Sequence, residues 1–244
     1  MIQLKNLSKH YGDIKAVNRL NLSVSPGEIF GFIGPNGAGK TTTIRMMGGL
    51  LAPTEGSVII CGIDMARRPE KAKKKIGLIP DQPFLYEKLT GMEFLQFTAD
   101  LYGIKRDAFM EKAEKLLNMF SLFGRAHELI EAYSHGMKQR LVISAALLHD
   151  PSVVIVDEPM VGLDPRGIKI VEDLFRTLAA RGTTIFMSTH ALKLAEDVCD
   201  RIGIINKGFL IATGTLTDLK HAANMGEVDL EQVFFQLTEE ESAS

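Results

Sequence analysis

The residues of this chain best suited to chemistry lie in four short segments. GPNGAGKTT, Gly34–Thr42, fits the pattern G-x-x-x-x-G-K-[ST] between an apolar run and a helical one. Its backbone, through Gly34, Pro35, Asn36, Gly37, Ala38 and Gly39, is built to wrap phosphate oxygens with inward N–H groups. Lys40 brings a cation to the β- and γ-phosphates, the Thr41 hydroxyl is a ligand for Mg²⁺, and the helix continuing through Thr42 adds its positive dipole end. VVIVDEP places Asp157 and Glu158 at the C-terminal edge of a buried strand, where open α/β sheets bind ligands. Asp157 suits the Mg²⁺ shell beside Thr41, and Glu158 can polarise an attacking water. STH, Ser188–His190, ends another apolar strand, and the His190 imidazole can hydrogen-bond a γ-phosphate.

YSHGMKQR, Tyr133–Arg140, is a polar, basic stretch directly before the helical pattern Leu141–Leu148. Ser134 is placed to cap that helix, and a helix N-terminus also offers donors to an anion. The two readings are compatible, because capping precedes docking.

These segments need a scaffold. GEIFGFIG, SVIICG and IGLIPD read as short strands, and Gly48 and Gly49 break the helix after the phosphate loop. From about 87 to 149 the texture is helical, with Phe109, Ala113, Leu116, Leu117 and Phe120 at three- and four-residue spacing. Beyond Pro151 the runs VVIVD, TTIFMS and RIGII are continuously apolar, as strands covered on both faces of a parallel sheet require. IINKGFLIATG reads as a hairpin turning at Asn206–Gly208, and DLEQVFFQLTEE puts Leu230, Val233, Phe234 and Leu237 on one helical stripe. The reading is an α/β core interrupted by a helical insert.

Composition narrows the class. The 244 residues are 45% hydrophobic with a net charge of −2, which gives no support to a general nucleic-acid binder. KAKKK, Lys71–Lys75, reads as a solvated face. Two cysteines, Cys61 and Cys199, are too few for a disulfide framework, so a reducing compartment is expected. The opening residues hold no apolar core of a signal peptide, and runs such as VVIV fall far short of the roughly 18 residues that span a bilayer. A soluble chain is expected, and work at a membrane requires docking onto something already there.

In this order the segments resemble the ATP-binding cassette ATPases, the nucleotide-binding subunits of ABC transporters. The likeness spans roughly residues 1–215. Tyr11 in KHYG resembles the aromatic that stacks on adenine. GPNGAGKTT resembles Walker A, VVIVDEP resembles Walker B, GLDP with Asp164 the D-loop, and STH the switch histidine. YSHGMKQR falls where the signature segment belongs, with His135 at the usual first Gly and Met137 at the usual Gln. IGLIPDQ corresponds to the Q-loop, where Asp81 holds the Gln position and Gln82 comes one residue later. Similar S-x-G-M segments, and tails like LEQVFFQLT, occur in the exporter-like, ABC-2-type branch.

The resemblance implies an α/β P-loop NTPase core with a mainly parallel sheet, an N-terminal antiparallel β subdomain and a helical insert at about 87–150. A C-terminal helical extension with an acidic tail would occupy 216–244. It implies Glu158, His190 and Lys40 in catalysis and Thr41, Asp157 and Asp81 around Mg²⁺. ATP would also meet Tyr11, the whole phosphate loop, Asp81 or Gln82, Ser134, Gly136 and Asp164. Two ATPase subunits, identical or sister chains, would pack head to tail, with Ser134 and Gly136 of one closing on ATP held by the other. A separate polytopic permease on the cytoplasmic face of the membrane completes the expected assembly, without nucleic acid. Two alternatives stand beside it. A soluble relative acting on nucleic acid or ribosomes would usually carry paired cassettes or a long coiled coil, whereas this chain has one phosphate loop and no sustained heptads. A regulatory module without turnover would have no use for Glu158 and His190.

Overall fold

The computed structural model describes residues 1–82, 84–223, 225, 226 and 228–240. Pro83 in the segment after Asp81, and the acidic tail beyond residue 240, lie outside them. The chain opens with β1 (Ile2–Tyr11) and β2 (Ile14–Val24), an antiparallel pair. Ile2 and Leu4 on β1, and Leu20, Leu22 and Val24 on β2, are buried in alternation with exposed neighbours, the period of a half-covered sheet. Next come β3 (Ile29–Ile33) and α1 (Lys40–Met47), the helix ending at Gly48 and Gly49. Strands β4 (Glu55–Ile60) and β5 (Ile63–Asp64) complete a four-stranded sheet in the order β2-β1-β4-β5.

Helix α2 (Pro69–Lys73) and β6 (Ile76–Ile79) precede the helical insert. All four lysines of KAKKK are exposed around the buried Ala72. The insert holds α3 (Gly91–Tyr102), α4 (Arg106–Met119), two single 3₁₀ turns and α5 (His135–Leu147). Thr90 and Glu93 form a reciprocal capping box on α3, and Gly103 ends that helix in the left-handed conformation. Five further elements alternate: β7 (Val153–Asp157), α6 (Pro165–Ala180), β8 (Thr184–Thr189), α7 (Leu192–Val198) and β9 (Arg201–Asn206). The hairpin partner β10 (Phe209–Gly214) and helices α8 (Leu216–Ala222) and α9 (Leu230–Glu240) finish the chain.

The larger sheet runs β10-β9-β3-β8-β7-β6, parallel except for the antiparallel edge strand β10. Its two faces are covered by different parts of the chain. On one face Val154, Val156 and Met187 join Phe94, Phe109, Leu117 and Phe120 of the insert in a single core. On the other, Phe30, Phe32, Ile155 and Phe186 pack with β1, β2, β4 and α1, and the Phe186 ring lies 5.7 Å from Phe30 and 5.3 Å from Phe32. This double cover is why β3, β7 and β8 read as unbroken apolar runs. A third, smaller core joins α8 and α9 to Ile33, Ala195, Ile202 and Ile204.

Candidate active site

Register brings the chemical segments together. Ile33 pairs with Thr189, Asp157 with Ser188, and Ile79 with Val156, so β3, β8, β7 and β6 all end at one edge. The phosphate loop, Asp157–Glu158, the Ser188–His190 segment and Asp81 leave the sheet there, at the carboxyl edge where α/β sheets hold ligands. They surround a cavity of about 360 Å³. Asn36, Gly37, Gly39, Lys40, Thr41 and Thr42 form one wall, and Asp81, Asp157, Glu158 and His190 face them.

The loop is held by close backbone contacts. Gly39 has φ 110°, and a Cβ on it would lie 2.4 Å from the Ala16 carbonyl oxygen, so the loop cannot pass β2 with any side chain there. Lys40 is buried, and its Nζ donates to the carbonyls of Gly34 at 2.6 Å and Pro35 at 3.1 Å. Burial pushes its pKa below the ordinary lysine value, against the opposing pull of the Glu158 and Asp157 carboxylates. A phosphate oxygen is a stronger partner for this cation than a carbonyl, so the loop is poised to exchange one for the other.

Opposite the loop, Asp157 is buried and accepts a hydrogen bond from the Ser188 hydroxyl. Glu158 has φ 52°, a strained conformation for a residue with a side chain, and its N–H donates to the Ser188 carbonyl at 3.1 Å. The strain turns the Glu158 carboxylate back towards the cavity, where Oε1 lies 2.9 Å from His190 Nδ1. A carboxylate paired with an imidazole beside a phosphate cradle can order a water and take its proton. Thr41, Asp81 and Asp157 offer a hydroxyl and two carboxylates to the same cavity. These hard oxygens fit Mg²⁺, which is usually bound through one or two carboxylates with substrate phosphates and water filling its shell.

Other expected residues stand apart. Gln82 is not among the residues lining the cavity but borders an adjoining depression together with Thr41, Asp157 and Arg45, whereas Asp81 borders both. Tyr11 is 49% exposed at the β1–β2 turn, under Lys9, and also lies outside the cavity lining. Ser134 caps α5 by accepting from the Met137 N–H at 3.3 Å, with Ser134 and His135 exposed and Gly136 partly so. Asp164 caps α6 by accepting from Gly167 N–H at 2.7 Å and lies 3.5 Å from Arg140 of α5. The chain therefore gathers its phosphate loop and both strand-end acids, and leaves the α5 N-terminus facing outward.

Two partners were missed in the sequence. Ser188 is the hydrogen-bond donor to Asp157, which two adjacent parallel strands ending in polar residues would suggest. Gly162 is the seat of His135: a Cβ on Gly162, at φ 79°, would lie 2.0 Å from His135 Cδ2. Nothing local in the sequence joins those two positions, which are far apart along the chain.

Residues 17–161 match the ABC transporter family. The chain belongs to this family. It is 41% identical over 219 residues to the linearmycin resistance ATP-binding protein LnrL of Bacillus subtilis (strain 168), covering 90% of this chain and 70% of that protein. It superimposes on an ATP-binding subunit of an ABC transporter with a TM-score of 0.93 at 34% identity, over 97% of this chain and 99% of the other. A dimeric post-hydrolysis state of the ATP-binding cassette MJ0796, bound to ADP and Pi, matches with a TM-score of 0.78 at 28% identity, over 88% of this chain and 99% of that one. This cassette chain is accordingly an ATP-binding and ATP-hydrolysing protein of the exporter-like branch, with the P-loop NTPase fold.

Proposed function

We propose that the chain works as one of two ATPase subunits that close on ATP and drive a separate membrane-spanning permease in the export direction. The observation that carries this reading is the divided site: the nucleotide cavity opens on one side, and an anion-binding helix N-terminus at Ser134 and Gly136 faces outward elsewhere on the same chain. Head-to-tail pairing of two copies, or of this chain and a sister, brings each helix start to the other's open cavity. The dimeric MJ0796 cassette supplies the precedent for pairing, and a Nod factor export ATP-binding protein of Cupriavidus metallidurans, 36% identical over 214 residues, supplies one for export. Among the described residues no helix is long and apolar enough to cross a membrane. In this reading the membrane path belongs to a separate permease, with this chain on its cytoplasmic side.

In this reading the backbone of Gly34–Thr42 and the Lys40 ammonium bind the β- and γ-phosphates, and Tyr11 stacks on adenine. Thr41, Asp157 and Asp81 hold Mg²⁺, which when bound neutralises charge on the phosphate oxygens. Glu158 accepts the proton of the attacking water as the new bond to the γ-phosphorus forms and the bond to the ADP oxygen breaks. His190 hydrogen-bonds the γ-phosphate and holds the Glu158 carboxylate in line. Ser134 and Gly136 of the second subunit close on the γ-phosphate with the α5 dipole behind them, and Asp164 orders the loop beside them. Loss of the γ-phosphate removes what both halves share, so hydrolysis opens the pair.

The test is affinity purification of the tagged chain from detergent-solubilised membranes of its own cells. Recovery of a polytopic membrane protein in stoichiometric amount is expected. Recovery of ribosomes or nucleic acid without such a protein overturns the reading.

A further inference from the structure

A second group of polar side chains gathers on the antiparallel sheet. Between Leu7 and Lys9 the pairing of β1 with β2 slips, so that Ser8 alone faces two residues of β2, Asn18 and Arg19. This is a β-bulge, a device that re-aims side chains and is common beside binding sites. Arg19 stands at φ 48°, in the left-handed region that a residue with a side chain occupies only under constraint. The buried Ser8 supplies the constraint: its Oγ accepts from the Arg19 N–H at 2.9 Å and donates to the Asn6 carbonyl at 3.4 Å. Two residues further along β1, His10 pairs across the strands with Lys15, and Glu55 of β4 pairs with Ser8.

The bulge and these neighbours border one cavity of about 390 Å³, its lining completed by Phe209 at the start of β10. The Asn18 N–H donates to the Gly208 carbonyl at 2.9 Å, which holds the β9–β10 turn against β2. A cavity of this size accommodates a small ligand. It is separate from the nucleotide cavity. The two share no lining residue, and Lys15 and Ala16, consecutive on β2, border one each, as strand neighbours pointing to opposite faces do.

The polar groups here lack partners. His10 Nε2 is buried with no hydrogen-bond partner, a state that costs free energy until something enters to bond it. Among the described residues the Lys15 ammonium, the Arg19 guanidinium and the Glu55 carboxylate form no ion pair. Two cations against one carboxylate leave the lining with a surplus of positive charge, which suits an anion. The Arg19 fork matches two oxygens of a phosphate, and Lys15 adds a point charge. In either tautomer His10 Nε2 can bond a phosphate oxygen or a hydroxyl. Phe209, 48% exposed, offers a ring for stacking, and Glu55 can accept from an amino group on the stacked ring.

We propose that this cavity binds an aromatic phosphate monoester of mononucleotide size, as a second ligand site distinct from the nucleotide cavity.

The test is calorimetric titration of AMP into the full chain, with the nucleotide cavity first saturated by the Mg²⁺ complex of a non-hydrolysable ATP analogue. AMP should bind once per chain with a Kd of about 1 mM or tighter, unchanged when the analogue is raised further. Lys15→Gln/Arg19→Gln should weaken AMP about tenfold or more and leave the affinity for the analogue within about twofold, since the charges lost belong to the second cavity alone. Phe209→Ala should weaken AMP while leaving inorganic phosphate unaffected, because only the ring contact is lost. Absence of saturable AMP binding, an AMP affinity that falls as the analogue is raised, or an AMP affinity untouched by the double variant or by Phe209→Ala each overturns the proposal. Should the double variant fail to fold, Lys15→Glu decides: a loss of about tenfold in AMP affinity supports the proposal, and wild-type affinity overturns it.

Discussion

At the scale of single residues, the site depends on groups held in unfavourable states by their surroundings. Lys40 is a buried cation satisfied by two loop carbonyls and faced by two carboxylates. In the proposed reading phosphate oxygens take the place of those carbonyls, and an ammonium bonds an anionic oxygen more strongly than a neutral one. Lys40→Ala should therefore weaken ATP binding at least tenfold, read by calorimetric titration, and affinity equal to wild type would remove Lys40 from the site. Glu158 is turned into the cavity by its positive φ, and Glu158→Gln keeps the shape while removing the base. Turnover should fall by about 10²–10⁴-fold with ATP affinity retained; near-normal turnover would place the base elsewhere. Gly162 matters through His135. A Gly162→Val change meets both the imidazole and a left-handed backbone, and should cost about 2 kcal/mol, lowering Tm by roughly 4–8 °C. His135→Gly in the same chain should restore part of that loss, and a melt unchanged by Gly162→Val would contradict the packing.

Elements decide which neighbours can act. Asp81 and Gln82 follow β6 directly, and in the sequence either can hold the Q-loop position. Asp81 borders both the nucleotide cavity and the adjoining depression, whereas Gln82 borders only the depression, beside Thr41 and Asp157. Asp81→Ala should lower kcat about tenfold or more, and Gln82→Ala should stay within about threefold of wild type, both measured by phosphate release. A larger loss at Gln82 would reverse the assignment. The same scale explains what was legible. Walker A, Walker B and the STH segment were readable because each combines a local backbone demand with a strand end. The partners Ser188–Asp157 and His135–Gly162 were not, because they join elements through strand register and loop packing. The long β1–β2 pair left little mark beyond alternation, since half of its positions face solvent.

Across the whole molecule, the proposed pairing makes the open cavity and the outward α5 helix start two complementary half-sites. In that reading they meet through a second subunit. Two variants test this together by light scattering. Glu158→Gln with ATP should accumulate as a dimer, because closure proceeds and release does not. Adding Ser134→Arg should return it to monomer while ATP binding to each chain persists, and the lost cap should cost only about 1 kcal/mol of stability. A dimer that survives Ser134→Arg would exclude the α5 N-terminus from the interface.

The sequence by itself determined the chemistry: a phosphate cradle, two strand-end acids, a strand-end histidine and a capped basic helix, each encoded within a few consecutive residues. It also determined the class of fold, since apolar runs without alternation demand a sheet covered on both faces. The tertiary structure alone decided which groups touch. It set Asp81, and not Gln82, on the lining of the nucleotide cavity, seated His135 on Gly162 and left Tyr11 outside that lining. The physical reason is that local motifs are specified by neighbours in sequence, whereas contacts across strand ends depend on register and packing, to which every element contributes at once.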